Sequence, residues 1–338
     1  MRRLAELPTR WEGKPWDFDK NFAAFDRWFN DNMAYRSLMV RLKNQLDYWL
    51  FSSSDRAYFG PHGEIYGRKL LDSQLPTSEH LFENEAPAVV GGLRLLRAQL
   101  ESQGTHLILI APMQRQHFTQ AGLPFFAPHM TEPSQFMSRL YPQLQRELGS
   151  DFIDAHALMN AIPKGQPRFF KQDFHWSDFA AREASIQIAG RIATLDGVPF
   201  QWRYPLETYT ENEVGSDARF AALLVAEPVA EVRVDNRKWP AVHNINYQDV
   251  SATGLEYVTD EVTASGMLPS TCLYGNSFSD AMVSVGLLNH FSSMARVGRD
   301  IPIWDLPKVT KGRCKYLVVQ LLDISPEWAA LASDKHGR

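Results

Sequence analysis

The sequence predicts an α/β protein built on a parallel central sheet, and three of its features carry that prediction. From about residue 60, short apolar runs of buried-strand length alternate with stretches of helical periodicity. The first fifty residues show helical spacing alone. The stretch 196–268 breaks the alternation with turn residues, scattered aromatics and a two-residue period. The expected organisation is an N-terminal helical arm over 1–53, an α/β domain over 54–330 carrying a β-containing insertion at 196–268, and a tail at 331–338.

The elements follow in order. In the arm, Phe18, Phe22, Phe25 and Phe29 recur at steps of four, three and four, which places them on one helical face. Leu38, Leu42, Leu46 and Trp49 repeat that spacing, so the arm is expected to pack through an apolar face. A helix over Ala88–Gln103 precedes a buried strand, His106–Ala111, stopped by Pro112. Pro133 opens another helix and Gly149 closes it, ahead of a short strand at Asp151–Asp154. Ser177 suits the N-cap of a helix reaching Ala193. In the insertion, Ala230, Val232 and Val234 alternate with Glu231 and Arg233, the period of an antiparallel strand. Strands at Pro269–Tyr274, Ser292–Val297 and Lys315–Leu322 complete the sheet, and the helix Ser279–Leu288 follows the first of them.

Composition excludes several classes. The 35 basic and 39 acidic residues are intermixed without a Lys/Arg block, so no nucleic-acid partner is expected. The longest apolar runs, such as Leu107–Ala111 and Tyr316–Val319, fall far short of the ~20 residues of a membrane span. The start, MRRLAELPTRW, has no apolar core behind its basic residues and is not a signal peptide. Cys272 and Cys314 permit one disulfide at most, and a bridge or two buried thiols are equally open. Neither a Cys-based zinc site nor a third ligand beside any Asp-x-His pair is present, so no metal and no cofactor is expected.

Two motifs carry chemistry. In Leu273-Tyr274-Gly275-Asn276-Ser277-Phe278-Ser279, a buried strand runs through a glycine into a serine that opens a helix. A helix N-terminus offers unpaired N–H groups that can hold an oxyanion, although a serine there is also an ordinary N-cap. In Gln172-Asp173-Phe174-His175-Trp176-Ser177, residues two apart in an extended segment share one side, which pairs Asp173 with His175. A carboxylate beside an imidazole fixes its tautomer, as a serine base requires. Asp154-Ala155-His156 has the same spacing, but its acid ends a strand and its histidine enters a helix, so that pair is read as structural.

Together the two motifs resemble those of the SGNH-like acetyltransferases of bacterial exopolysaccharide export, and most closely the alginate O-acetyltransferase family of the AlgJ and AlgX type. In that family the Asp-x-His motif precedes the serine, the order found here. A helical segment ending in Tyr35-Arg36, the turn Phe59-Gly60-Pro61-His62-Gly63-Glu64-Ile65-Tyr66 and the strand end Ile110-Ala111-Pro112 fit as well. The resemblance spans roughly residues 18–325. It implies an SGNH-hydrolase-like three-layer fold and a triad in which Ser277 takes an acetyl group, His175 is its base and Asp173 orients His175. The N–H groups of Ser277 and Phe278 are the expected oxyanion donors, with Asn276, Gln114 and Arg115 as further oxyanion or substrate residues. Asn276 stands where relatives often have Asp, and Gln114-Arg115 where they often have Lys.

The implied activity is O-acetyl transfer onto a polysaccharide acceptor. The alternatives are a carbohydrate acetyl esterase and a non-catalytic polysaccharide-binding or scaffold protein of the same fold. Trp202, Trp239 and Trp304 are candidates to stack on sugar rings, although such residues are more often core. The resemblance further implies a periplasmic protein, exported or anchored in the inner membrane, that receives acetyl groups through a membrane-bound acyltransferase partner.

Overall fold

The computed structural model describes residues 22–28, 35–68, 71, 85–119, 122–128, 135–235, 241–247, 252–258 and 267–333. Its centre is a seven-stranded sheet. Strands β3 (His106–Ile110) and β4 (Phe152–Ile153) form one side, and β9 (Thr271–Gly275), β10 (Ser293–Val297) and β11 (Tyr316–Gln320) lie towards the other, all parallel in the order β4-β3-β11-β9-β10. The insertion adds β8 (Ala252–Val258) and β7 (Ala241–Tyr247) antiparallel beyond β10. Its remaining strands, β5 (Thr208–Glu213) and β6 (Val229–Val234), pair as a separate antiparallel ribbon. Two short strands near the arm, β1 (Ala57–Phe59) and β2 (Ile65–Gly67), form a third sheet.

The alternation of side chains along the strands produces the three layers. Leu107, Leu109, Cys272, Tyr274, Leu317 and Val319 face helices α2 (Ala86–Glu101), α3 (Gln135–Leu148) and α9 (Glu327–Ala332). Ile108, Ile110, Leu273 and Val318 face α4 (Ala155–Ala161), α5 (Asp178–Asp196) and α7 (Ser277–Ser284). All ten strand residues are buried, and each side chain of Leu or Ile size stabilises the fold by about 1.5–3 kcal/mol. Cys272 and Cys314 form a disulfide, which closes the question left open by their number.

Several boundaries shift for physical reasons. The helix after β9 starts at Ser277, because Asn276 caps it, and ends at Ser284, two residues before Gly286 at φ 97°. The tail expected from 331 does not begin there: α9 runs to Ala332, with Trp328 and Leu331 in the core. Pro133 and the phenylalanines at 18 and 29 lie outside the described residues.

The arm departs most from expectation. Helix α1 (Arg36–Phe51) leaves Leu38, Leu42, Leu46 and Trp49 exposed and buries Asn44 and Gln45 instead. Asn44 donates to the carbonyl of Ala221 at 3.0 Å, at the end of α6 (Ser216–Ala221), and Gln45 accepts from the N–H of Val225 at 3.1 Å. The helix therefore docks in part by satisfying a carbonyl at the end of α6 and an amide in the loop beyond it, which an apolar periodicity does not reveal.

Candidate active site

At the carboxyl end of β9 the chain turns through Gly275 and Asn276 into α7. Gly275 is required by crowding: a Cβ there would lie 2.7 Å from Gln320 Oε1 and 2.8 Å from the Gln320 carbonyl on the neighbouring strand. Gln320 is fully buried and accepts the Asn276 N–H at 3.1 Å, which holds the turn. Asn276 Oδ1 then accepts the Phe278 N–H at 3.0 Å, and its carbonyl accepts the Ser279 N–H at 3.0 Å. This corrects the expected pair of oxyanion donors. The Phe278 amide is engaged by the N-cap side chain, whereas the Ser277 N–H has no acceptor among the described residues.

Ser277 Oγ lies 2.6 Å from His175 Nε2, across 102 residues of sequence. His175 Nδ1 lies 2.5 Å from Asp173 Oδ1, which also accepts the His175 backbone N–H at 3.0 Å. The acid and the imidazole thus meet through a tight turn in which the carboxylate bonds the backbone two residues on, rather than along an extended strand. Burial acts to raise the Asp173 carboxyl, but the hydrogen bonds and charge of His175, with help from Ser216, hold it at about 2.

Support for Asp173 comes from a segment with no evident signal in the sequence. The Ser216 N–H, at the start of α6, reaches Asp173 Oδ2 at 3.4 Å, and the Asp217 N–H donates to the Gln172 carbonyl at 3.0 Å. Gly215 permits this approach, since a Cβ there would lie 2.1 Å from the Gln172 carbonyl oxygen. Asp217 is buried 3.3 Å from Arg115, and burial pushes its carboxyl up to about 7 against the pull of that guanidinium.

The remaining expected site residues separate. Arg115 is buried, stacks on Tyr66 and donates to the carbonyls of Ile65, Phe170 and Lys171, so it braces the chain leading to Asp173 and does not line the cleft at Ser277. Gln114 is buried and accepts from Gln116, also away from the cleft lining. Asp154 caps α4 by accepting the Ala157 N–H at 2.9 Å, and His156 bonds Asn160 and packs on Phe118. Trp202 stacks on His290 at 4.2 Å and Trp304 donates to the Ala330 carbonyl, while Trp239 lies outside the described residues. Among the described residues, Phe170 and Tyr209 line the cleft with aromatic rings beside that of His175.

That cleft has a volume of about 610 Å³ and is lined by Ser277, His175 and Asp173. Tyr209 and Glu211 of β5, Arg233 of β6, and Asp280 and Ser284 of α7 line it as well. The insertion therefore walls the site.

A family model described as the SGNH hydrolase-like domain of acetyltransferase AlgX matches residues 47–293. No curated protein matches the chain significantly. Among solved structures, a DHHW family protein from Eubacterium siraeum is similar at 11% identity, with a TM-score of 0.52 over 74% of this chain and 86% of that one. PatB1 of Bacillus cereus is similar at 13% identity, with a TM-score of 0.52 over 75% of this chain and 92% of that one. The O-acetyltransferase domain of Pseudomonas putida AlgJ aligns at 16% identity, with a TM-score of 0.48 over 83% of this chain and 94% of that one.

Proposed function

The chain belongs to the family of AlgX SGNH hydrolase-like acetyltransferase domains, and from that premise we propose that it transfers acetyl groups to hydroxyls of a bacterial exopolysaccharide through an acetyl-Ser277 intermediate. The observation that carries this reading is the continuous chain from Asp173 through His175 to Ser277, at 2.5 and 2.6 Å. In the first half-reaction, His175 Nε2 takes the proton of Ser277 Oγ as that oxygen attacks the acetyl carbonyl. The tetrahedral oxyanion meets the Ser277 N–H at the positive end of α7, and the imidazolium returns its proton to the leaving group. In the second half-reaction, a sugar hydroxyl gives its proton to Nε2, attacks the acyl carbon and expels Ser277 Oγ, which is reprotonated. Asp173, ionised down to a pH of about 2, stabilises the imidazolium through both steps.

The setting follows from the same reading. A membrane-bound acyltransferase supplies the acetyl group, and the protein works in the periplasm. The Cys272–Cys314 disulfide supports an oxidising compartment. No helix among the described residues is long and apolar enough to cross a membrane.

The test is direct. Incubation with 4-nitrophenyl acetate should add one acetyl group to the peptide containing Ser277, and Ser277→Ala should add none. Glycan oligomers should then receive the label. Absence of acetyl on Ser277 would overturn the acyl-serine mechanism. Acetate release that ignores every acceptor, with deacetylation of an acetylated polymer, would instead establish the esterase.

A further inference from the structure

Arg115 lies outside the cleft and yet fixes the segment that carries the acid of the triad. It is 2% exposed, and its planar fork reaches four acceptors from three parts of the chain. One terminal nitrogen donates to the carbonyls of Phe170 and Lys171, at 2.7 Å each. The other donates to the carbonyl of Ile65 in β2 and to Asp217 Oδ2, the last at 3.3 Å. The Tyr66 ring covers the guanidinium, 4.1 Å from its central carbon.

Asp217 completes the frame from α6. Its N–H donates to the Gln172 carbonyl at 3.0 Å, and the N–H of Ser216 beside it reaches Asp173 Oδ2 at 3.4 Å. The Gln172 side-chain amide is tied in turn to the Glu227 carbonyl at 2.9 Å, and the Lys171 N–H to Glu231 Oε1 at 2.6 Å. Every residue from 170 to 173 is therefore held by a bond from elsewhere in the fold. The Asp173 carboxylate has one oxygen on His175 and the other on Ser216.

Stability alone does not call for such an arrangement. The attraction within a buried ion pair barely offsets the desolvation of its charges, and apolar residues of the same volume often do as well. The pair supplies direction instead. A rigid fork on two successive carbonyls fixes the backbone two residues before the acid, and a shift of ~1 Å in a reacting geometry can slow turnover by about a hundredfold.

We propose that Arg115 and Asp217 are positioning residues for acyl transfer, acting on Ser277 only through Asp173 and His175. The proposal rests on the acetyl-Ser277 reading above. The pair holds the backbone of the acid and the amide on its second oxygen, and so keeps its first oxygen on the imidazole.

Initial rates with 4-nitrophenyl acetate, read per folded molecule, separate this role from a general loss of stability. Arg115→Met should lower kcat by about tenfold or more and leave KM within about twofold of wild type, since neither member of the pair lines the cleft. In an Asp173→Asn background, Arg115→Met should lower kcat by less than about twofold further, because the acid it positions is already lost. Losses that multiply would overturn the proposal, as would a wild-type kcat in folded Arg115→Met. Arg191→Met is the reference. It breaks a comparable bond, 2.8 Å to Asp151 just before β4, and should lower stability without changing kcat. An equal drop in kcat there would show that any broken ion pair slows the enzyme, and the proposal would fall.

If Arg115→Met does not fold, Asp217 gives a second test. Burial pushes its carboxyl up to about 7, so an amide stands in for its neutral form. Asp217→Ala should lower kcat severalfold and Asp217→Asn should recover most of the loss; equal rates in the two variants would overturn the proposal. Failure of the wild-type protein to form acetyl-Ser277 at all would remove the acyl-serine reading and this proposal with it.

Discussion

The indole N–H of Trp176 donates to the carbonyl of Phe278 at 3.0 Å, which ties the Asp-x-His turn to the first turn of the serine helix. Both side chains are fully buried, their rings 5.5 Å apart, and the Phe278 ring also lies 5.2 Å from that of His175. The serine–base distance is thus set by a packed unit and not by the two polar side chains alone. Trp176→Phe keeps most of the packing and removes the donor. It should cost about 1–2 kcal/mol in chemical denaturation and lower kcat more than KM, since the reacting groups drift while the cleft is unchanged. An unaltered kcat in the folded variant would show that the bond serves stability only.

The two Asp-x-His pairs should separate in kinetics. Asp173→Asn is expected to lower turnover of an activated acetyl ester by about 10³–10⁴-fold, because the imidazole loses the acid that selects its tautomer. His156→Ala should leave turnover per folded molecule near wild type, since His156 contacts Asn160 and Phe118 away from Ser277. Equal losses in both folded variants would contradict the separation.

Gly275→Ala should damage activity out of proportion to stability. The added methyl has no space beside Gln320, so the turn must move, and with it Asn276 and Ser277. A drop in kcat of tenfold or more, with far-UV circular dichroism unchanged, is the expected outcome. A kcat within twofold of wild type would show that the neighbouring strand yields instead.

The disulfide joins positions 42 residues apart and closes a loop containing β9, α7 and β10. Loop-closure entropy puts its contribution at about 4 kcal/mol. Cys272→Ser with Cys314→Ser should lower the unfolding free energy by up to that amount. Equal midpoints for oxidised and reduced wild-type protein in urea would refute the estimate.

His290 gives the fold an acid-sensitive point. Burial, aided by the charges of Arg203 and Arg182, lowers its pKa from 6.5 to about 4, and the rings of Trp202, Phe200 and Tyr204 surround it. The unfolded chain protonates near 6.5 while the folded one does not, so stability falls as pH drops from 6.5 to 4 and levels off below. The loss from this one group is on the order of 3 kcal/mol. Urea denaturation of wild type and His290→Phe across that range should show a flatter dependence in the variant; parallel curves would contradict the assignment.

Local signals made much of the molecule legible. The apolar runs at 107–110, 271–274 and 316–319 became central strands because a parallel sheet covered on both faces needs such continuous runs. Ser177 caps α5 through its hydroxyl, as its place before a helical pattern indicated. The exposed leucines of α1 show the limit of the same method. Periodicity reports that residues share a face but not that the face is covered, and Asn44 and Gln45 are the buried residues of this helix.

By itself, the sequence determined the alternating architecture, the strand–glycine–serine–helix turn and the candidates Asp173, His175 and Ser277, because each depends on residues within a few positions of one another. Tertiary structure alone decided which groups meet. It brought Ser277 within 2.6 Å of His175, held Asp173 with the Ser216 N–H, placed Arg115 among backbone carbonyls, put Trp202 against His290 and lined the cleft with Tyr209, Glu211 and Arg233. The physical reason is range. Caps, turns and strand propensity act through neighbouring dihedrals and hydrogen bonds, whereas a contact across a hundred residues exists only after the sheet has packed and put the carboxyl ends of its strands, the 169–176 turn and the inserted ribbon on one side of the molecule.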